Sequence, residues 1–365
     1  MAQIDILLER MEALQASDLH LKVETRPRYR VHGSLEEAAD LPVLSREMLE
    51  RMTNEILGEE QLQVLEKEHS LDFAYGSGRL GRFRCNYFTD HWGRAAVFRR
   101  IPARVPTLAE LGLPKQVERF AHLKRGLVLV TGATGAGKSS TLAALVDVIN
   151  SNYRKHIITL EDPIEYLHPI KRSIIHQRGV HYDIHDFGSG IHAALRESPD
   201  VLVVGEMRDL DSIRQALTAA EIGVLVFGTL HTNSAAGSVD RIVDVFPPEE
   251  QAQVRVQLAQ SLAGVVSQVL LRRRLGSGRV PAAEVLVANT AVANIVREGR
   301  TQDLLSVLQG GKGHGMQTMD DALEQLVQQG TVETNEAALH AHNKARFERL
   351  LGHEGSGVRR RLTPR

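Results

Sequence analysis

The string LVLVTGATGAGKSST constrains the fold more than any other part of the chain. It places Gly132, Gly137, Lys138 and Ser139 in the spacing G-x-x-x-x-G-K-S, straight after an apolar run and before the helical pattern at 142–149. Such a loop belongs between a buried strand and a helix. Its glycines let backbone amides close around phosphate oxygens without Cβ clashes, and the helix N-terminus adds a positive dipole end. Gly132, Ala133, Thr134, Gly135, Ala136, Gly137, Lys138, Ser139 and Ser140 are therefore read as a nucleotide cradle. Lys138 is placed to bridge the β and γ phosphates of ATP, and Ser139 to ligate Mg2+.

The rest of this half of the chain follows the same grammar. Apolar runs at 127–131, 157–160, 201–204 and 224–229 alternate with longer helical patterns and read as buried parallel strands of an α/β unit. After Pro247 the pattern turns mostly helical, ending in a stripe of Met319, Ala322, Leu323, Leu326 and Val327 opened by Thr318 and Asp321. Ahead of the loop the pattern is α+β. A helical face at 4–14 precedes short strands at 19–23 and 29–31, helices at 47–57 and 60–67, and strands at 71–75, 82–88 and 95–101. Pro102, Pro106 and Pro114 interrupt regular structure between the two regions. At 365 residues two domains are expected. The expected bounds are 1–102 for an N-terminal domain, 103–120 for a linker, 121–350 for an ATPase domain with C-terminal helices, and 351–365 for a basic flexible tail.

Composition narrows the function classes. Lys and Arg total 44 against 45 Asp and Glu, so no global field draws the chain to nucleic acid, and 4% aromatic residues leave little for a base-stacking groove. Arg359, Arg360, Arg361 and Arg365 form a local basic cluster that reads as a solvated tail. The single cysteine, Cys85, excludes an internal disulfide and a CxxC zinc clasp and suits a reducing cytosol. Asp5, Glu9 and Arg10 break the N-terminal apolar residues, and no window approaches the ~20 apolar residues of a membrane span. Direct membrane insertion is not expected, so a membrane would be reached only through a partner.

The chemistry-bearing residues cluster at expected strand ends, where ligands of α/β sheets bind. VLVVGEMRD ends its strand in Glu206, read as the general base facing the γ-phosphate. The usual pattern has an aspartate where this chain has Gly205, so metal contact passes to Ser139, water and another acid, sought in TLEDPIEY. There Glu161, Asp162 and Glu165 follow a strand that Pro163 stops. His231, in FGTLHTNSA, closes a third strand among Thr229, Thr232, Asn233 and Ser234. Arginines that could neutralise phosphoryl charge are sought at Arg82, Arg84 and Arg99, with Arg100 beside them. His176, His181, His185 and His192 are irregularly spaced and read as scattered surface histidines.

Together GATGAGKSS, LEDPIEY, VGEMRD and TLHTNSA resemble the secretion-type hexameric ATPases, in particular their type IV pilus retraction (twitching motility) branch. ASDLHL at 17–22, AVFRRIP at 96–102, DRIVDVFP at 240–247 and GMQT at 315–318 extend the likeness over nearly the whole chain. The resemblance implies a PAS-like α+β N-terminal domain, a RecA-like P-loop motor domain with a helical C-terminal part, and a homohexameric ring. It assigns Glu161 to the acidic box with a share of Mg2+, Glu206 to the Walker B glutamate and His231 to the histidine box. It implies a cytoplasmic protein docked on an inner-membrane pilus platform protein, with a paralogous retraction ATPase as a further partner. Departures are Ala293 in AVANIVRE, where arginine is usual, and Gly179 and Tyr182 in QRGVHYDI. Alternative readings are a pilus assembly or type II secretion ATPase, against which stand one cysteine and a short N-terminus, and an ATP-binding accessory ring subunit with little turnover. A GTPase is disfavoured because no NKxD string is present, the nearest being Asn343, Lys344, Ala345 and Arg346.

Overall fold

The computed structural model describes residues 2–31, 33–77, 81–101, 104–276 and 278–350. The basic tail expected at 351–365 lies outside the described residues. The chain divides into two compact units, Met1–Arg104 and Val105–Arg365.

In the first unit α1 (Gln3–Ala13) leads into β1 (Asp18–Lys22), β2 (Arg28–Val31) and β3 (Ser34–Glu37). Helices α2 (Arg46–Ile56) and α3 (Glu59–Glu68) follow, then β4 (Ser70–Ser77), β5 (Gly81–Asp90) and β6 (Gly93–Ile101). The six strands form one sheet in the order β3-β2-β1-β6-β5-β4, every neighbour antiparallel. On β5 the inward positions alternate as Phe83, Cys85 and Tyr87, the period-2 pattern of a half-buried strand. They join Ile4, Leu8 and Met11 of α1 and Leu49 and Met52 of α2 in one core. Buried Asp18 is held by Arg99 at 2.8 Å and Arg30 at 3.5 Å. Although burial pushes its pKa up, the hydrogen bonds and charges of Arg99, Ser17 and Arg30 leave it below the ordinary aspartate value.

The second unit carries a seven-stranded sheet in the order β13-β12-β7-β11-β10-β8-β9. It opens with α4 (Leu108–Leu111), β7 (Gly126–Thr131), α5 (Lys138–Asn152), β8 (His156–Glu161), β9 (Ile174–Gly179) and α6 (Phe187–Ala194). Then come β10 (Val201–Val204), α7 (Leu210–Glu221), β11 (Leu225–Leu230), α8 (Ala235–Asp244), α9 (Pro248–Ser261), β12 (Leu262–Arg272) and β13 (Arg279–Val287). All neighbours are parallel except β13, which returns antiparallel along β12. Every residue of β7, β10 and β11 is buried, as expected for parallel strands covered on both faces. The carboxyl ends of β7, β8, β10 and β11 therefore align along one edge. Helices α10 (Thr290–Glu298), α11 (Leu304–Gly310), α12 (Met319–Gln328) and α13 (Thr334–His340) complete the unit. In α12, Met319 and Leu323 join Leu271, Val280 and Phe347 in a small separate core. Among the described residues no helix is long and apolar enough to cross a membrane.

Three features differ from the sequence reading. The region after Pro247 is mostly helical as expected, but it also holds two strands that the sequence reading did not foresee, β12 and β13, which form one end of the sheet. Val265, Val266, Ser267 and Gln268 on β12 are all buried, so the strand lacks the alternation that separates a strand from a buried helix. β9 at 174–179 was also missed, because its mixed polarity shows no clean period. Most of the segment expected as a linker at 103–120 is folded. Thr107 caps α4, and a 3-10 helix at Lys115–His122 buries Val117 and Phe120 completely.

Phe120 lies against β12 so closely that a Cβ on Gly264 would come within 2.2 Å of its ring. Truncating a ring packed this way removes its buried area and leaves a cavity. Phe120→Ala should destabilise the protein by about 3–5 kcal/mol in denaturant titration. A variant as stable as wild type would mean that this segment behaves as a free linker.

Candidate nucleotide site

Between β7 and α5 the chain closes a glycine loop. Gly132 has φ 144°, and a Cβ there would stand 2.3 Å from the main-chain oxygen of Gln268, so no other residue fits without moving β12. Gly137, at φ 89°, is the N-cap of α5, whose first residue is Lys138. The Lys138 ammonium donates to the carbonyls of Gly132 at 2.8 Å and Ala133 at 3.2 Å, which keeps it in the mouth of the loop. Burial lowers its pKa, while the charges of Glu206 and Glu165 act in the opposite sense. A partly desolvated cation at a helix N-terminus suits an anion of high charge density. Ser139 is half-buried beside it, and Ser140 shares a 2.8 Å hydrogen bond with the Tyr166 hydroxyl.

The loop is braced from β12. Gln268, almost fully buried, donates to the Ala136 carbonyl at 2.7 Å and accepts from the Thr141 hydroxyl at 2.9 Å, linking loop, helix and strand through one side chain. Beside it Ser267 and Thr131 share a 2.7 Å hydrogen bond. Ser238 donates to Thr131 at 3.5 Å and shares a 2.6 Å contact with Thr232 in the histidine loop. Sequence reasoning missed Gln268, Ser267 and Ser238. The signal available was a Ser-Gln pair inside an otherwise apolar run, since buried polar side chains are kept only with partners.

The acidic residues sit at adjacent strand ends. Glu161 ends β8 and accepts from Thr159 at 2.7 Å, from Gln177 at 3.1 Å and from the Glu165 amide at 3.4 Å. Burial pushes its pKa up against those hydrogen bonds. Gln177, on the unforeseen β9, also donates to the Tyr166 carbonyl at 2.7 Å, so it orients the whole acidic turn. Beyond β10, Gly205 donates to the Leu160 carbonyl at 2.8 Å and receives the Thr229 hydroxyl on its own carbonyl. A Cβ on Gly205 would lie 3.0 Å from the Leu160 oxygen and 3.3 Å from Glu161 Cα. An aspartate at this position would press on β8, which accounts for the glycine here. Glu206, half-buried, faces His231 Nε2 at 3.3 Å from one oxygen and Arg208 at 3.9 Å from the other.

The carboxyl edge of the sheet thus gathers the loop 132–140, Glu161, Glu206 and His231. Arg82, Arg84 and Arg99 belong to the first unit. There Arg99 binds Asp18, and Arg84 lies 3.7 Å from Asp72.

The family described as "Type II/IV secretion system protein" matches residues 2–277. The chain belongs to this family. It is 45% identical over 322 residues to the "Type IV pilus retractation ATPase PilT" of Pseudomonas aeruginosa, covering 88% of this chain and 93% of that protein. It is 47% identical over 317 residues to a "Twitching motility protein" of Neisseria gonorrhoeae, covering 87% and 84%. Among solved structures, the pilus retraction motor PilT with bound ADP superposes with a TM-score of 0.89 at 42% identity, covering 96% of this chain and 100% of that one. The mixed α/β fold, with an N-terminal domain and a RecA-like motor domain, is shared with that structure.

Gln268→Leu keeps the buried volume but strands the Ala136 carbonyl and leaves the Thr141 hydroxyl only its 3.2 Å bond to the Gly137 carbonyl. Since an unsatisfied buried polar group costs about 1–3 kcal/mol, ATP affinity should fall on the order of 10-fold in a calorimetric titration, with the fold checked by circular dichroism. Unchanged affinity would mean that the brace does not shape the loop.

Proposed function

We propose that this chain is an ATPase motor that couples ATP hydrolysis to type IV pilus retraction. The observation that carries the reading is the Glu206–His231 pair at 3.3 Å on the strand edge beside the Lys138 loop. Identity to proteins named for pilus retraction and twitching motility supports the biological role.

In this reading the amides of 132–138 and the Lys138 ammonium hold the β and γ phosphates. Glu206 takes the proton of the attacking water, because it is a carboxylate at a strand's carboxyl end with an orienting imidazole on one oxygen. His231, half-exposed next to it, fixes that carboxylate and reports on the γ-phosphate. Mg2+ fits the donor set: the Ser139 hydroxyl and the Glu161 carboxylate are hard oxygen ligands of the kind it prefers. When bound it would neutralise charge on the phosphates. The departures at Gly179, Tyr182 and Ala293 leave the loop, Glu206 and His231 intact. Arg82, Arg84 and Arg99 are proposed as the phosphoryl-neutralising arginines. We further propose a cytoplasmic homohexamer docked on the inner-membrane pilus platform protein, working beside a paralogous retraction ATPase. The expected domain bounds, 1–102 and 121–350, are proposed in the modified form set by the two compact units, which meet at 104/105.

The test is Mg2+-dependent ATP hydrolysis by wild type and Glu206→Gln, with particle mass measured in the same buffer. Wild type should turn over as a six-subunit particle. Glu206→Gln should bind ATP and lose at least about 10²-fold in kcat. Full hydrolysis by the variant would contradict the role of Glu206. Tight binding without turnover in either protein would favour an accessory ring subunit.

A further inference from the structure

Each of two helices beside the nucleotide site has a side-chain cap that does not serve its first amide. Ser234 caps α8 by accepting from the Gly237 amide, and Thr318 caps α12 by accepting from the Asp321 amide. A cap of this kind reaches the second or third helical amide and leaves the first without a partner. In both helices that first amide goes to the same side chain. Glu284, on β13, accepts from Ala235 N at 2.8 Å through one carboxylate oxygen and from Met319 N at 3.4 Å through the other. It is 2% exposed. A buried carboxylate is retained at such a position only where hydrogen-bond donors and positive dipole ends offset its desolvation. Burial pushes its pKa up, and the Ala235 amide, His342 and the Met319 amide oppose that rise.

The two helices lead to different places. Ala235 directly follows His231, Thr232, Asn233 and Ser234, the loop that presents an imidazole to Glu206. Met319 follows Gln317, which exchanges main-chain hydrogen bonds with Val285 on the same strand as Glu284. From α12, Asp320 accepts from the amides of His342 and Asn343, so the last helices are set by the same element. A groove of about 420 Å³ has both the phosphate-loop residues Ala133–Ala136 and Asn233 and the C-terminal residues Met319 and His340–His342 in its lining. Glu284 thus bonds the first amides of two helices, one led into by Asn233 and the other begun by Met319, and both of these residues line that groove.

We infer that Glu284 is a positioning residue that ties the histidine loop of the nucleotide site to the C-terminal helices through two helix N-termini. A shift of α12 acts on the first turn of α8 through a single carboxylate, and from there on the position of His231 relative to Glu206. The coupling runs equally in the other direction, because one side chain satisfies both amides.

The kinetic part of the test rests on the ATPase reading; the structural part does not. Glu284→Gln keeps the shape, but one carboxylate oxygen becomes an NH2 that cannot accept and the other becomes a neutral, weaker acceptor, so one helix amide loses its partner and the other is held less tightly. Hydrogen exchange should accelerate both in a peptide covering 231–238 and in one covering 316–322. ATP affinity should stay within about 2-fold, because the loop 132–139 is untouched, while kcat falls on the order of 10-fold through misplacement of His231. Glu284→Asp, which keeps the charge but is too short to span both amides, should show the same split and serves if the glutamine variant does not fold. Exchange that accelerates in only one peptide, or a KM rise at unchanged kcat, would overturn the coupling. If wild type shows no turnover, the ATPase reading fails and the two exchange rates still decide whether Glu284 joins the two elements.

Discussion

The approach of Gly132 to the main chain of β12 is the contact on which the nucleotide site depends. A Cβ at Gly132 would lie 2.3 Å from the Gln268 oxygen, so the loop takes its shape only because β7 and β12 pair directly and the residue between them has no side chain. Once that pairing exists, Gln268 is brought under the loop, its amide holds Ala136, and its oxygen holds Thr141 in the first turn of α5. The shape of the loop is therefore a property of three elements. An isolated glycine string would not keep its amides pointed inward.

The remaining chemistry follows from parallel strand order. β8, β10 and β11 are neighbours, so Glu161, Glu206 and His231, far apart in sequence, arrive at one edge. Glycine at 205 lets β10 lie close to β8, and the Thr229 hydroxyl on its carbonyl closes the other side. The two acids are then differently placed. Glu161 is tied by three hydrogen bonds, whereas Glu206 meets a half-exposed histidine at 3.3 Å. The first environment suits a fixed ligand-orienting carboxylate, the second a carboxylate that exchanges a proton with water.

Much of this was legible in the sequence because the relevant signals are local. The spacing from Gly132 to Ser139 gives loop, strand and helix together, and the apolar runs of β7, β10 and β11 are short, continuous and bounded by turn residues. Glu206 and His231 could be placed at strand ends from the sequence because each lies just past such a run. What escaped was long-range or lacked periodicity. β12 is buried on both faces at 265–268 and reads like a helix interior there, so Gln268 and Ser267 were hidden with it. The role of Glu284 depends on the amides of Ala235 and Met319, which no side-chain pattern encodes. Gly205 was noted as a departure, but its cause is the Leu160 oxygen 3.0 Å from where a Cβ would be, on a neighbouring strand. Phe120 was assigned to a linker because prolines mark chain direction, not burial.

The central claim is that the phosphates of ATP are held by the loop 132–139 with Lys138 as its cation. The most direct measurement is a calorimetric titration of Mg-ATP into wild type and Lys138→Ala under identical conditions, with both folds verified. The account predicts saturable binding by wild type and a loss on the order of 10²-fold or more in the variant, since a partly buried charge-assisted contact to phosphate is removed. Equal affinity in the two proteins would place the nucleotide elsewhere and contradict the account.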